Sequence, residues 1–100
     1  MKSLEQRLHD GSRAKEVLEN EQFIASFDAI EKEVIDQWKT SQSGAVSQRE
    51  RLFLYLEVLQ KVKAQLVSTL ETGQLAALEL QHKQTLKERF ANGLTSWAQS

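Results

Sequence analysis

Apolar residues in the second half of the chain recur every three or four positions, which is the spacing of one helix face. This leucine seam consists of Leu52, Leu56, Leu59, Leu66 and Leu70, with Lys63 as its one polar member. Ser47 and Glu50 form a capping box directly before the seam, so the pattern predicts a helix over residues 48–72. The apolar run at 52–56 would also suit a strand, but the spacing continues to Leu70, far beyond ordinary strand length.

The same helix carries apolar residues on a second side. At about 100° per residue, Leu54 points almost opposite the leucine seam, and Val58 lies on the far flank. Burying a leucine stabilises a protein by about 1.5–3 kcal/mol, so these side chains are expected to have a cover. Two alternatives stay open, namely a later helix of the same chain, or a second copy or another protein.

The first part of the chain also has helical spacing, interrupted by capping residues and glycine. Ser3 indicates a helix start, and Gly11 is expected to close that short helix. In the longer helix that follows, Asn20 offers an alternative break, because its side chain can cap a new helix. Residues 40–48 are small and polar and contain a glycine, so they predict a connection between helices.

Gly73 is expected to end the leucine-rich helix, after which a further helix begins. One apolar face of this last helix is formed by Leu75, Leu78, His82, Leu86 and Phe90. Asn92 and Gly93 are expected to end it. The tail that follows contains Leu94 and Trp97, which are apolar enough to require a docking site.

These elements predict an all-α fold in a single helical domain, residues 1–100. The predicted elements are helices at 3–10, 12–39 (with the alternative break near 20), 48–72 and 74–92, and a tail at 93–100. The expected architecture is a small helical bundle built on an antiparallel hairpin of residues 21–39 and 48–72, with the short N-terminal helix and the C-terminal helix added to it.

Charge and composition exclude several classes of function. Thirteen basic and fourteen acidic residues give a net charge of -1, so no overall field attracts nucleic acid or anionic membrane. The absence of cysteine excludes disulfides and thiol chemistry, and it suits a reducing compartment. No signal peptide and no apolar stretch of about 20 residues is present, so cytoplasmic synthesis and no membrane partner are expected.

The sequence contains no motif that names a reaction. Phosphate-binding glycine loops, nucleophile elbows and zinc-binding helix motifs are all missing. Of the two histidines, His9 is expected near a helix end, and His82 lies in the middle of an apolar stripe as a core or interface residue. We therefore expect no enzyme activity, no cofactor and no metal site.

DNA binding is the alternative that the charge pattern leaves open. The segment around Gly73 has the order helix, glycine and second helix, which superficially suggests a helix-turn-helix with Lys83, Lys87 and Arg89 as DNA contacts. However, the second segment begins with apolar residues, whereas a recognition helix presents base-contacting side chains near its N-terminus. Nucleic acid is therefore a less favoured partner than protein.

Four stretches, "RAKEVLENEQF", "AIEKEVIDQWK", "RERLFLYLEVLQKVKAQL" and "LETGQLA", resemble small helical proteins encoded by tailed bacteriophages and their prophages. The resemblance covers residues 12–80. It implies a phage gene product encoded among head or packaging genes, made in the host cytoplasm, with virion residence as a further expectation. It brings no catalytic signature.

The expected function is therefore non-enzymatic virion assembly through helix-mediated contacts between proteins. The expected partners are a second copy of the chain, another phage structural protein, or both. The residues expected to make these contacts are Leu54, Val58, His82, Leu94 and Trp97. Two alternatives remain, a DNA-associated packaging or regulatory protein that uses the helix after Gly73, and a small effector that binds a host protein.

Overall fold

The computed structural model describes residues 2–99 and the side chains of residues 2–93. The described chain consists of three helices, α1 (Leu4–Glu19), α2 (Glu21–Thr40) and α3 (Val46–Gln99), and contains no strand. The predicted all-α class is confirmed. Within these residues, none of the three helices includes a stretch that is both long and apolar enough to span a bilayer.

Helix α1 begins where the capping pattern predicts and ends much later. The Ser3 side chain caps it by accepting a hydrogen bond from the Gln6 backbone N–H at 3.1 Å. The predicted end at Gly11 is wrong, because this glycine has no positive φ and lies buried inside the helix. His9 consequently lies in the interior of α1, where its side chain is exposed, and not near a helix end.

The break near residue 20 is confirmed. Asn20 has an extended backbone, with φ -71° and ψ 121°, and separates α1 from α2. Its backbone N–H donates to the Val17 carbonyl at 3.1 Å, while its side-chain oxygen accepts from the Phe23 N–H at 2.9 Å. One residue therefore satisfies backbone groups at the end of one helix and at the start of the next.

Helix α3 is a single element of 54 residues. It begins at Val46, so Ser47 lies inside its first turn, and the predicted capping box does not set its start. The predicted break at Gly73 and the predicted end at Gly93 are also wrong, because α3 continues through both glycines. Neither glycine adopts the positive φ that a glycine helix cap uses.

The three helices form an elongated molecule of 84 × 25 × 18 Å. Both α1 and α2 run antiparallel to α3, with α2 beside its first half and α1 beside its middle. From the N-terminal end of α3 onward, the contacts include the pairs Trp38 with Arg49, Phe27 with Lys63, Gly11 with Gly73, and Arg7 with Glu79. The radius of gyration is 23.1 Å, against about 13 Å for a compact chain of this length, so the predicted bundle is not confirmed.

Helices α1 and α3 approach each other most closely at two glycines. A Cβ atom placed on Gly11 would lie 2.7 Å from the Gly73 Cα and 3.3 Å from the Thr69 carbonyl oxygen. A Cβ atom placed on Gly73 would lie 3.1 Å from the Arg7 carbonyl oxygen. The two backbones are therefore in direct contact, which only residues without a side chain allow.

Candidate protein-protein interface

The leucine seam is the side of α3 that packs within the chain. Leu52 is only 4% exposed, and the other four leucines of the seam are half-buried, as the spacing predicts. Along α3 a series in steps of seven consists of Leu52, Leu59, Leu66, Gly73 and Leu80, and every member is buried or half-buried. A seven-residue repeat keeps one face toward a partner helix, so the seam continues past the predicted break.

Lys63, the polar member of the seam, is exposed, and its Nζ atom lies 5.9 Å from the centre of the Phe27 ring. Nearer the start of α3, the Arg49 guanidinium lies 4.9 Å from the Trp38 ring. Both cations pack on aromatic rings of α2 while keeping contact with water. The polar residues of this face thus contribute to helix packing and do not form a separate site.

On another side of α3, apolar residues remain in contact with solvent. Leu54 is 55% exposed and Val58 is 58% exposed, and Val62 follows four residues later. We call these three residues the Leu54 ridge, because an i, i+4 row forms a continuous ridge on a helix. The predicted outward direction of Leu54 and Val58 is confirmed. Beside the ridge is a shallow groove of about 500 Å³, lined by Ser43, Val46, Arg49, Glu50, Phe53 and Leu54.

The last part of α3 extends beyond the helices that pack on it. Beyond residue 80, the described side chains, residues 81–93, are all exposed except Thr85, which is half-buried. We call residues 81–93 the α3 extension. The predicted apolar face runs onto it from the preceding turn, and its members Leu75 and Phe90 are 65% and 71% exposed.

The residues expected to bind a partner do not form one site. Leu54 and His82 are 28 positions apart in one continuous helix, which corresponds to about 42 Å at 1.5 Å per residue. The structure therefore has two separate apolar surfaces, the Leu54 ridge and the face around His82. The side chains of Leu94 and Trp97, which were expected to contribute, lie outside the described residues.

The arrangement suggested for DNA binding is not formed. A helix-turn-helix requires a turn between its two helices, and α3 continues through Gly73 without one, so this prediction is wrong. Lys83, Lys87 and Arg89 are all exposed on the α3 extension. At about 100° per residue, however, Arg89 points about 120° away from Lys83, so the three cations do not lie along one side of the helix.

Ion pairs contribute little to this structure. Arg7 Nη2 and Glu79 Oε2 are 3.2 Å apart and join α1 to α3, with partly exposed side chains on both partners. Among the side chains that the structure describes, none is a buried polar or charged residue. In the same part of the chain, no three His, Asp or Glu residues cluster as a metal site would require. The described charged side chains therefore lie wholly or partly at the surface, and they do not converge on a site.

Sequence reasoning missed two of the contacts between α1 and α3, the one between Gly11 and Gly73 and the one between Arg7 and Glu79. Gly73 occupies a position of the seven-residue series, and this spacing was the available signal that the helix continues. Nothing local connects Arg7 with Glu79, which are 72 positions apart.

Comparisons with protein-family models, with curated proteins and with solved structures found no match to this chain.

Proposed function

We propose that this chain is a non-enzymatic assembly protein that acts by helix-mediated self-association. The observation that carries the proposal is the imbalance between its buried and exposed apolar groups. Among the side chains of residues 2–93, five apolar residues are buried, whereas fifteen large apolar side chains are at least 36% exposed. The buried set includes two alanines, and several further leucines are only half-buried, so more than half of the described large apolar side chains are exposed.

Such a surface favours association over a monomeric role. A soluble monomer seldom exposes contiguous apolar patches beyond a few hundred Å², and larger patches mark interaction sites. The exposed groups here follow helical spacing, which supports a partner that is itself a helix. The usual physics of such contacts is burial of an apolar stripe, with polar residues at the rim that set the register.

The self-associated form also accounts for the bundle that the leucine spacing predicts. We propose that α2 and the first half of α3 act as an antiparallel hairpin, and that a second copy covers the Leu54 ridge and completes a helical bundle. The resemblance to phage-encoded helical proteins adds virion assembly as the setting. A second copy, another phage structural protein, or both are the proposed partners.

Light scattering and sedimentation over a range of chain concentrations test this function. We expect the native chain to form a defined oligomer, and we expect Leu54→Lys to weaken that oligomer at least about tenfold, since it loses an apolar contact and buries a charge. Gln60→Lys is the matched control, because it adds the same charge at an exposed polar position of α3. Circular dichroism confirms that both variants stay helical.

Three results would contradict the proposal. A native chain that stays monomeric at every concentration would exclude self-association. An oligomer that Leu54→Lys and Gln60→Lys affect equally would exclude the Leu54 ridge as a contact. Tight binding to duplex DNA that falls steeply with added salt would favour the nucleic-acid alternative instead.

A further inference from the structure

We propose that the α3 extension pairs in antiparallel orientation with the same segment of a second copy, with His82 close to the two-fold axis. This inference rests on the proposed self-association and goes beyond it, because it specifies the segment, the orientation and the register. The pairing surface consists of Leu75, Leu78, His82, Leu86 and Phe90, all exposed. It is separate from the Leu54 ridge, about 40 Å further along the helix.

This surface is available because α1 occupies another side of α3. Gly73 and Ala76 are buried, and Gly73 contacts the backbone of α1 directly. Leu75 lies two residues after Gly73, so it points about 200° away from that contact. A second helix can therefore approach the exposed face without displacing α1.

The spacing of the apolar residues is self-complementary in antiparallel orientation. If His82 faces His82 of the second copy, Leu78 lies level with Leu86 of that copy, because each is four residues from the centre. Leu75 then lies within one residue of the level of Phe90. The centre of this face already forms a shallow groove of about 280 Å³, lined by Leu78, Gln81, His82, Thr85, Leu86 and Arg89.

The charges beside this face favour the antiparallel orientation. Glu71 and Arg89 are 18 residues apart, which is five whole turns at 3.6 residues per turn, so they point in the same direction from α3. In the proposed register, Arg89 lies about one helical turn from Glu71 of the second copy, within reach of its long side chain. A parallel pair in register would instead bring Glu71 next to Glu71 and Arg89 next to Arg89, which is repulsive.

Disulfide trapping tests the register, because the chain has no cysteine of its own. Chains carrying Leu78→Cys and chains carrying Leu86→Cys are mixed and oxidised, and mass spectrometry identifies the linked peptides. We expect a disulfide between position 78 of one copy and position 86 of the other in the mixture, and little cross-linking by either variant alone. Gln84→Cys, on the opposite side of α3, is the control and should not cross-link.

A charge exchange tests the orientation independently. We expect Arg89→Glu to weaken the dimer about fivefold to tenfold at low salt, since the changed contact occurs twice in a symmetric pair. Adding Glu71→Arg to the same chain should restore association, because the pair then has its charges exchanged. Lys87→Glu is the matched control, with the same charge change on a different side of the helix, and should have little effect.

The outcomes separate this inference from the proposed function. Cross-links that join 78 to 78 and 86 to 86 would overturn the antiparallel orientation. An oligomer that persists without the 78 to 86 disulfide, or that Arg89→Glu and Lys87→Glu weaken equally, would overturn the register while self-association stands. A native chain that is monomeric throughout would overturn both.

Discussion

Replacing Gly73 with alanine puts a methyl group at the point where α1 and α3 are in backbone contact. The new Cβ would lie 2.7 Å from the Gly11 Cα and 3.1 Å from the Arg7 carbonyl oxygen. Both neighbours are backbone atoms of α1, so no side-chain rotation relieves the overlap. Since carbon atoms in ordinary contact are about 3.5–4.0 Å apart, the two helices must separate by about 1 Å.

Two opposing effects determine the size of the change. Alanine is favoured over glycine inside a helix by about 0.5–1 kcal/mol. Overpacking of a close contact costs about 1–3 kcal/mol, and the rigid backbone neighbours make relief by local adjustment difficult. We therefore expect Gly73→Ala to lower the free energy of unfolding by about 1 kcal/mol, with up to about 2 kcal/mol if α1 detaches partly.

Gly93→Ala is the matched control, because Gly93 lies in the same helix and, among the described residues outside its own helical turns, no atom lies within 4 Å of its Cβ position. It should keep only the favourable helix effect and raise stability by up to about 1 kcal/mol. Urea unfolding followed by circular dichroism, at a concentration where the chain is monomeric, measures both variants. If Gly73→Ala were as stabilising as Gly93→Ala, the proposed backbone contact between α1 and α3 would be wrong.

Three further changes test other parts of the fold. Leu52→Ala should lower the free energy of unfolding by about 2–5 kcal/mol in urea, whereas Phe53→Ala on the exposed neighbour should change it by less than about 1 kcal/mol. Asn20→Ala removes the cap of α2 and should lower it by about 0.5–2 kcal/mol, with amide exchange accelerated at Phe23. Glu79→Gln should lower the free energy of unfolding by less than about 1 kcal/mol, because the ion pair with Arg7 is partly exposed. A larger decrease would show that this ion pair stabilises the packing of α1 on α3 more strongly.

Burial along α3 follows largely from sequence spacing. The 4-3 spacing predicts that Leu52 faces the packing seam and that Leu54 points away from it, and both directions are confirmed. A helix has a fixed rotation per residue, so one buried position determines the direction of its neighbours. The cap at Asn20 was likewise predictable, because a side-chain oxygen before a helical stretch satisfies free backbone N–H groups.

The glycines show where local rules fail. Glycine is typical of helix ends, and it destabilises the interior of a helix relative to alanine, so local rules favour a break at Gly11 and at Gly73. Contact between them reverses this preference, because absent side chains let α1 and α3 approach closely. That contact joins residues 62 positions apart, so no local window contains it. The elongated shape was missed for the same reason. It follows from α3 continuing through Gly73, and the contact with Gly11 at that point is not visible in the local sequence.

The candidate surfaces were predicted only in part. Spacing identified Leu54, Val58 and His82 as residues that need a cover, and all three are exposed. It also left a later helix of the same chain as an alternative cover. That alternative required a separate helix after Gly73 that folds back over Leu54. Because α3 is unbroken, the segment after Gly73 instead extends away along the same axis.

The uninterrupted course of α3 has a mechanical consequence. The Leu54 ridge and the face around His82 lie on one stiff rod, so both the distance between them and their relative rotation are fixed. Inserting one residue between them would turn one surface by about 100° relative to the other and shift it by only about 1.5 Å. Inserting seven residues would lengthen the rod by about 10.5 Å and leave the rotation within about 20° of its present value. The two surfaces therefore keep their relative orientation only when the length of the helix between them changes by whole heptads.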